Sequence, residues 1–176
     1  MVSRRRWLTA ATACLAEAGC EDAAFDARCL LEDLGGLPRG HAADDTLLTA
    51  EQETALQTAL SQRADGRPLQ YILGEWDFLT LTLAVGEGVL IPRPDTEHLV
   101  DYLIKNLPEG STFADLCTGS GCIAISLSKQ LPLAKVEACD ISPEALAVTK
   151  ENNERNGATI SFFAYDMLER TTPLPH

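Results

Sequence analysis

The sequence has few histidines, few aromatic residues and few basic residues. Its three histidines, at positions 41, 98 and 176, are widely separated, and its six cysteines form no Cys-x-x-Cys pair, so the ligand spacing of a zinc site is absent. No run approaches the ~20 consecutive apolar residues of a membrane-spanning helix. With 26 acidic and 14 basic side chains, the net charge is −12, which repels nucleic-acid phosphates and acidic membranes alike. We therefore expect a protein that binds no metal, no membrane and no nucleic acid directly.

The apolar content indicates a packed core, and the cysteines indicate a reducing compartment. Hydrophobic residues make up 45% of the 176 residues, which excludes intrinsic disorder. The cysteines lie among apolar or small residues in a chain that is long for a disulfide-stapled fold. We expect free thiols and a cytoplasmic location.

The N-terminus resembles a twin-arginine export signal at first sight. Arg4–Arg6 precede a stretch of small and apolar residues. However, Glu17 interrupts that stretch, and apolar residues recur at helical spacing from Leu8 to Ala18, with Gly19 as a stop. The pattern favours a helix of the folded protein.

Two further helices and a period-two segment follow. One helix runs from about Asp22 to a pair of glycines, and the next begins at Thr49, whose hydroxyl can cap the helix while Gln52 reaches back. We predict a helical N-terminal domain over residues 1–68. Within residues 69–91, the stretch from Leu79 to Val85 has a period of two and is followed by two glycines, which predicts extended chain and a β-hairpin linker.

Residues 92–176 predict the first half of an α/β domain. A helix begins near Asp95, and three short apolar strands then alternate with two helices from residue 112 to residue 165. Ser142, Pro143 and Gly157 mark both ends of the second of these helices. Strands separated by such helices form a parallel, Rossmann-like sheet with right-handed crossovers.

A glycine-containing turn connects the first of these strands to its helix. In the string from Asp115 to Gly121, the glycines let the chain turn sharply and let a ligand approach the backbone. Asp140 ends the second strand, where a carboxylate can accept hydrogen bonds from both hydroxyls of a ribose. Asp166 ends the third strand, where an adenine would project.

Two cofactor classes compete for this geometry. A dinucleotide such as NAD requires a third glycine, but Ala124 stands there, and Asp115 places negative charge near the turn. S-adenosylmethionine has no phosphate and carries a sulfonium cation, so it fits better. An NAD-dependent oxidoreductase remains the alternative.

The string from Asp115 to Gly121 resembles the glycine motif of class I methyltransferases. Leu90–Glu97, which reads Leu-Ile-Pro-Arg-Pro-Asp-Thr-Glu, resembles the hallmark of the protein-(glutamine-N5) methyltransferases that modify peptide-chain release factors. Arg67–Gly74 and Leu15–Gly19 resemble the linker and helical domain of the same family. The resemblance covers essentially the whole chain. It implies a substrate-recognition role for residues 1–68, release factors as the protein substrate, a monomer, and S-adenosylmethionine as cofactor with S-adenosylhomocysteine as product.

The resemblance also implies roles for particular residues. The cofactor-binding positions would be Asp115, Cys117, Thr118, Gly119, Ser120, Gly121, Asp140, Asp166 and Met167. Arg93, Thr96 and Glu97 would line the side of the site that receives the glutamine, although the same residues can be read as a proline-rich linker with a helix cap. The family often has glycine where Cys117 stands.

The resembled family performs the transfer with an Asn-Pro-Pro-Tyr loop after its fourth strand. That string does not occur up to His176. We therefore expect no catalytic residue within this chain, and an inactive fragment that binds the cofactor weakly. Three alternatives stay open at this point: a ribosomal-protein glutamine methyltransferase, an adenine-N6 methyltransferase of nucleic acid, and a non-catalytic interaction module.

Overall fold

The computed structural model describes residues 1–168. The chain divides into two compact units, Met1–Leu73 and Gly74–His176. Residues 169–176, where we expected a fourth strand to begin, lie outside the described residues.

The first unit is helical, as the periodicity predicts. It contains α1 (Arg4–Glu17), α2 (Ala23–Leu34), α3 (Ala50–Ala64) and the short α4 (Leu69–Leu73). The three arginines form the first turn of α1, behind Ser3, whose side chain accepts a hydrogen bond from the Arg6 N–H. Arg63 of α3 pairs with the buried carboxylate of Asp26 on α2 at 2.7 Å. The unit's core is formed mainly by Trp7, Ala11, Leu15, Ala27, Leu30, Leu31, Leu56 and Leu60.

The start of α3 confirms the predicted capping box. The Thr49 hydroxyl accepts a hydrogen bond from the Gln52 N–H at 3.2 Å, and the Gln52 side chain accepts one from the Thr49 N–H at 2.9 Å. Each residue thereby satisfies a backbone donor that the first helical turn leaves without a partner.

The period-two segment is only partly extended. Residues 69–73 form α4 instead of strand, because the N–H groups of Tyr71 and Ile72 turn back to the carbonyl oxygen of Pro68. The hairpin itself is shorter than predicted and belongs to the second unit: β1 (Glu75–Phe78) pairs antiparallel with β2 (Leu81–Ala84). Leu79 in its turn has a φ of 52°.

The rest of the second unit is the predicted α/β arrangement. It contains α5 (Pro94–Asn106), β3 (Thr112–Leu116), α6 (Cys122–Gln130), β4 (Lys135–Asp140), α7 (Pro143–Arg155) and β5 (Ser161–Ala164). The strands pair in parallel in the order β3-β4-β5. The core is formed mainly by Phe78, Leu81, Leu83, Val100, Ala124, Ile125, Leu127, Val136, Ala138 and Ile160. Among the described helices, none has both the length and the apolar character needed to cross a membrane.

This topology creates one edge for a ligand. Because the three strands are parallel and adjacent, their carboxyl ends meet, and so do the segments that leave them. Ligands of open α/β sheets bind at this edge. The segments are residues 117–121, 141–142 and 165–168.

Candidate functional site

The turn after β3, residues 117–121, forms what we call the glycine loop. Its backbone has positive φ at Cys117 (63°), Gly119 (58°) and Gly121 (79°). The Thr118 N–H donates to the Cys139 carbonyl at 3.0 Å, and the Gly121 N–H donates to the Thr118 carbonyl at 2.9 Å. These bonds fix a tight turn that leads directly into α6.

The two glycines of this loop are needed for different reasons. A Cβ on Gly121 would lie 3.0 Å from a methyl group of Ile125 and 3.1 Å from one of Thr149, so both space and φ require glycine. A Cβ on Gly119 would meet no atom within 4 Å, so only its φ requires glycine. The backbone at Gly119 therefore has free space beside it.

Asp140, at the end of β4, is tied to this loop. One carboxylate oxygen accepts the Gly119 N–H at 2.9 Å, and the other accepts the Ser142 N–H at 3.0 Å. A carboxylate has about four lone-pair positions, so each oxygen can still accept a hydrogen bond from a ligand. Asp140 thus holds the glycine loop in place while it keeps acceptors available for a ligand.

Asp115, the residue before the last of β3, supports the loop from inside. One of its carboxylate oxygens accepts from the Thr118 hydroxyl at 2.7 Å and from the Ala124 N–H at 3.3 Å. Burial raises the pKa of Asp115, the two hydrogen bonds oppose that shift, and the nearby charge of Asp140 adds to it. Both contacts of Asp115 stabilise the protein itself, and a contact with a cofactor stays a prediction.

The segment after β5 reaches the same edge. The Tyr165 N–H donates to the Asp140 carbonyl at 3.0 Å and continues the ladder beyond β5. Asp166 is half-buried and accepts the Leu168 N–H at 2.9 Å, and the Cys117 thiol lies 3.2 Å from the sulfur of Met167. The predicted cofactor residues from three separate strands are therefore brought together.

Sequence reasoning missed an apolar residue at this edge. Ile141 directly follows Asp140 and is 64% exposed, so it offers an apolar surface beside the carboxylate. The sequence signal for this residue was its position: a large apolar side chain directly after the aspartate that ends β4 and before the helix that follows.

Sequence reasoning also missed two fully buried polar residues of α7. The Thr149 hydroxyl donates to the Gly119 carbonyl at 3.0 Å, and the Asn152 amide donates to the Ser120 carbonyl at 2.9 Å. They are three residues apart and therefore lie on one face of the helix. The available signal was a pair of polar residues at the spacing that a buried, apolar face normally has.

Two thiols near the site, those of Cys122 and Cys139, are not nucleophiles at neutral pH. Burial raises the pKa of Cys122 to about 11 and also raises the pKa of Cys139, so both are protonated at neutral pH. All six cysteines are free. Within residues 1–168, no group of histidine, cysteine and carboxylate side chains is arranged to hold a metal ion.

The three predicted substrate-side residues lie at the start of α5. Arg93 is exposed and precedes the helix, and its carbonyl accepts the Thr96 N–H at 3.0 Å. The Glu97 carboxylate accepts the Leu79 N–H in the hairpin turn at 3.1 Å. These contacts stabilise the start of the helix and the hairpin, and a role towards a substrate stays a prediction.

Both compact units contain a region that matches a known protein family. Residues 6–74 match the family described as the PrmC N-terminal domain, and residues 94–174 match the methyltransferase small domain. The first match covers most of the first compact unit, and the second covers the part of the second unit that follows the hairpin.

Individual relatives agree with the two matches. The chain is 45% identical to the release factor glutamine methyltransferase of Bacteroides thetaiotaomicron, over 70% of this chain and 45% of that protein. It is 40% identical to that of Geobacter sulfurreducens, over 88% and 55%, and 37% identical to that of Mycolicibacterium smegmatis, over 95% and 59%. The chain thus spans about half the length of the curated relatives it matches. The chain therefore matches a PrmC N-terminal domain and a methyltransferase small domain in succession, and it is similar, over about half of their length, to proteins named release factor glutamine methyltransferases.

Proposed function

We propose that this chain binds S-adenosylmethionine at the carboxyl edge of the β3-β4-β5 sheet. The observation that carries the proposal is the double role of Asp140, which is bonded to the Gly119 and Ser142 N–H groups yet retains acceptor positions on both oxygens. A ribose presents two adjacent hydroxyl donors, which match those positions. The product, S-adenosylhomocysteine, has the same ribose and would bind in the same place.

The surrounding residues fit the remaining parts of this cofactor. Adenine would lie against the exposed Ile141, with Asp166 and Met167 on its other side. The methionine part would follow the glycine loop, residues 117–121, above Asp115. The carboxylates at this edge complement the sulfonium and ammonium groups of the cofactor, and they would repel the pyrophosphate of a dinucleotide.

We propose that the whole protein transfers the cofactor's methyl group to the side-chain amide nitrogen, N5, of a glutamine in a peptide-chain release factor. The names of the relatives support this substrate. An amide nitrogen is a poor nucleophile because its lone pair is delocalised into the carbonyl. An enzyme must therefore accept hydrogen bonds from the NH₂ group and align the nitrogen with the sulfonium methyl.

Residues 1–176 contain no Asn-Pro-Pro-Tyr string, which is the loop we expect to hold that amide. We propose that residues 1–176 bind the cofactor and that the transfer itself needs residues they do not contain. Arg93, Thr96 and Glu97 would stand on the glutamine side, and residues 1–68 would recognise the release factor, with residues 69–91 as linker and 92–176 as the cofactor domain. The protein would act as a monomer in the cytoplasm, without direct contact to nucleic acid.

Cofactor binding is tested by titration calorimetry of residues 1–176 with S-adenosylmethionine, S-adenosylhomocysteine and NAD. Asp140→Asn should weaken both sulfur-containing ligands at least about tenfold, because a hydrogen bond to a charged group contributes about 1.5–3 kcal/mol. Glu109→Gln makes the same charge change at an exposed residue away from the site and should leave both affinities unchanged. Tighter binding of NAD than of S-adenosylmethionine would favour the oxidoreductase alternative.

Substrate identity is tested on the full-length protein that contains this chain. Tritium-labelled S-adenosylmethionine is offered with a release factor, a ribosomal protein or an adenine-containing oligonucleotide, and the labelled residue is located by mass spectrometry. The proposal expects label on one glutamine of the release factor. Label on the oligonucleotide or on the ribosomal protein would contradict it.

A further inference from the structure

Helix α7 carries two polar side chains that are completely buried. Thr149 and Asn152 are both 0% exposed. Burying a polar group costs free energy unless a hydrogen bond replaces the lost water, so buried polar side chains mark specific bonds. Here those bonds run to the backbone of the glycine loop and the hairpin.

The two side chains donate hydrogen bonds to consecutive carbonyl groups of the glycine loop. The Thr149 hydroxyl donates to the Gly119 carbonyl at 3.0 Å, and the Asn152 amide donates to the Ser120 carbonyl at 2.9 Å. A trans peptide unit holds its C=O and the following N–H on opposite sides. The N–H groups of Ser120 and Gly121 must therefore point away from α7.

The fates of these two N–H groups differ. The Gly121 N–H donates to the Thr118 carbonyl at 2.9 Å and closes the loop. The Ser120 N–H makes no hydrogen bond within the described part of the chain. It points away from α7 in the same loop whose Gly119 is bonded to Asp140, so the two buried bonds set the direction of a backbone donor.

Asn152 also connects the loop to the hairpin. Its amide donates to the Ala84 carbonyl at 3.0 Å, and its amide oxygen accepts the Ala84 N–H at 2.6 Å. The side chain thus pairs with β2 as a neighbouring strand would, while it holds Ser120. The glycine loop, α7 and β2 form one hydrogen-bonded unit.

We propose that Thr149 and Asn152 are positioning residues for the cofactor: they hold the glycine loop in the conformation that binds S-adenosylmethionine, and Asn152 anchors that conformation to the hairpin. The inference rests on the proposed function, since it assumes the cofactor. It assigns the two residues no contact with the ligand.

The decisive experiment is a pair of substitutions at Thr149 in residues 1–176. Thr149→Val keeps the volume and removes the hydroxyl, whereas Thr149→Ser keeps the hydroxyl and removes a methyl group. We expect Thr149→Val to weaken S-adenosylmethionine about threefold to tenfold, the effect of one hydrogen bond, and Thr149→Ser to bind as the wild type does. A side chain that only fills space would give the opposite order, because Thr149→Ser leaves the larger void.

Two further comparisons separate positioning from general loss of stability. Ser128→Ala removes a hydroxyl that bonds the Thr159 carbonyl at 3.2 Å, away from the loop, and should leave the affinity unchanged. Asn152→Asp and Asn156→Asp each remove an amide that donates to β2, Asn156 to the Thr82 carbonyl at 3.1 Å. Only Asn152→Asp should weaken the cofactor, because only Asn152 also holds the loop.

Hydrogen exchange of the ligand-free protein gives a readout that does not need the cofactor. Thr149→Val should speed amide exchange at Gly119 and Gly121, whose N–H groups are hydrogen-bonded, and Ser128→Ala should not. If the wild type binds no S-adenosylmethionine, the proposed function fails, and exchange still decides whether α7 holds the loop. If the wild type binds but Thr149→Val has unchanged affinity and exchange, this inference is wrong while the proposed function stands.

Discussion

Cys117 occupies a backbone conformation that suits glycine. Its φ of 63° lies in the left-handed region, where a Cβ costs roughly 1–2 kcal/mol. The resembled family often has glycine at this position, and the φ value gives a physical reason for that preference.

Cys117→Gly should therefore stabilise the second unit. After the extra freedom of glycine in the unfolded chain is subtracted, we expect a gain of about 0.5–1 kcal/mol in the free energy of unfolding, measured with urea. Cys117→Ala removes the same thiol contact with Met167 but keeps the Cβ, so it should give no gain. Equal effects of both substitutions would refute the argument from φ.

Asp115 should make stability depend on pH in a predictable direction. Because burial raises its pKa in the folded state, the carboxyl binds a proton more readily when folded. Its contribution to stability is then fully present below the unfolded pKa of about 3.9 and is lost as pH rises through the folded pKa. The residue therefore favours folding more at acid pH than at neutral pH.

Asp115→Asn removes this titration. The difference in unfolding free energy, wild type minus variant, should fall as pH rises from about 4 towards 7, in urea titrations at several pH values. Glu109→Gln, at an exposed position, is the control for the removal of one negative charge. A difference that rises with pH would mean that the hydrogen bonds from Thr118 and Ala124 outweigh burial.

At the scale of elements, helix ends were the most predictable feature. Thr49 and Ser142 were predicted as caps, and both side chains accept the hydrogen bonds expected of them. Such signals are local, because a cap is decided by residues within one turn. The short helix α4 was missed because its five residues, Leu-Gln-Tyr-Ile-Leu, are too few to show a helical period, and the turn that begins it at Pro68 leaves no other sequence signal.

The capping box of α3 gives a test at this scale. Thr49→Ala should lower the free energy of unfolding of the first unit by about 1 kcal/mol, because an N–H at the helix start loses its acceptor. Thr54→Ala, in the exposed middle of the same helix, removes a hydroxyl bonded only to the Ala50 carbonyl and should cost nothing measurable. Similar losses in both variants would show that the cap contributes nothing specific.

The parts of the site that sequence could not supply are those set by tertiary contacts. The positions of Asp140 at the end of β4 and of Asp166 two residues after β5 follow from the βαβ pattern. The bonds from Thr149 and Asn152 to the glycine loop could not be predicted in this way. The bonded residues are about thirty positions apart in sequence, and the sequence of α7 does not indicate which segment it contacts. The sequence indicated only that α7 has polar residues on a face expected to be buried, where they would need hydrogen-bond partners.

At the scale of the whole molecule, the chain consists of two units with separate cores. The division by contacts falls between Leu73 and Gly74, and the hairpin belongs to the second unit. Each unit buries its own large aliphatic residues, Leu30 in the first and Leu127 in the second, both at 0% exposure. A substitution in one core should therefore leave the other intact.

Scanning calorimetry with and without S-adenosylmethionine should reveal this separation. A ligand raises the unfolding temperature only of the unit that binds it. Leu30→Ala should lower the unfolding temperature of the transition that the cofactor leaves unchanged. Leu127→Ala should lower the unfolding temperature of the transition that the cofactor raises. Each substitution should reduce the free energy of unfolding of its unit by about 2–5 kcal/mol. A single transition that responds to the cofactor and to both substitutions would contradict the prediction.

The double role of Asp140 bears on how fast a ligand can be captured. Because its bonds to the Gly119 and Ser142 N–H groups are contacts within the chain that involve no ligand atom, the protein's own residues organise this edge of the sheet. Little conformational entropy remains to be lost on binding, which favours tight association for a small contact area. Association should then proceed in one step, at a rate set by diffusion and orientation and not by a loop that must first order itself.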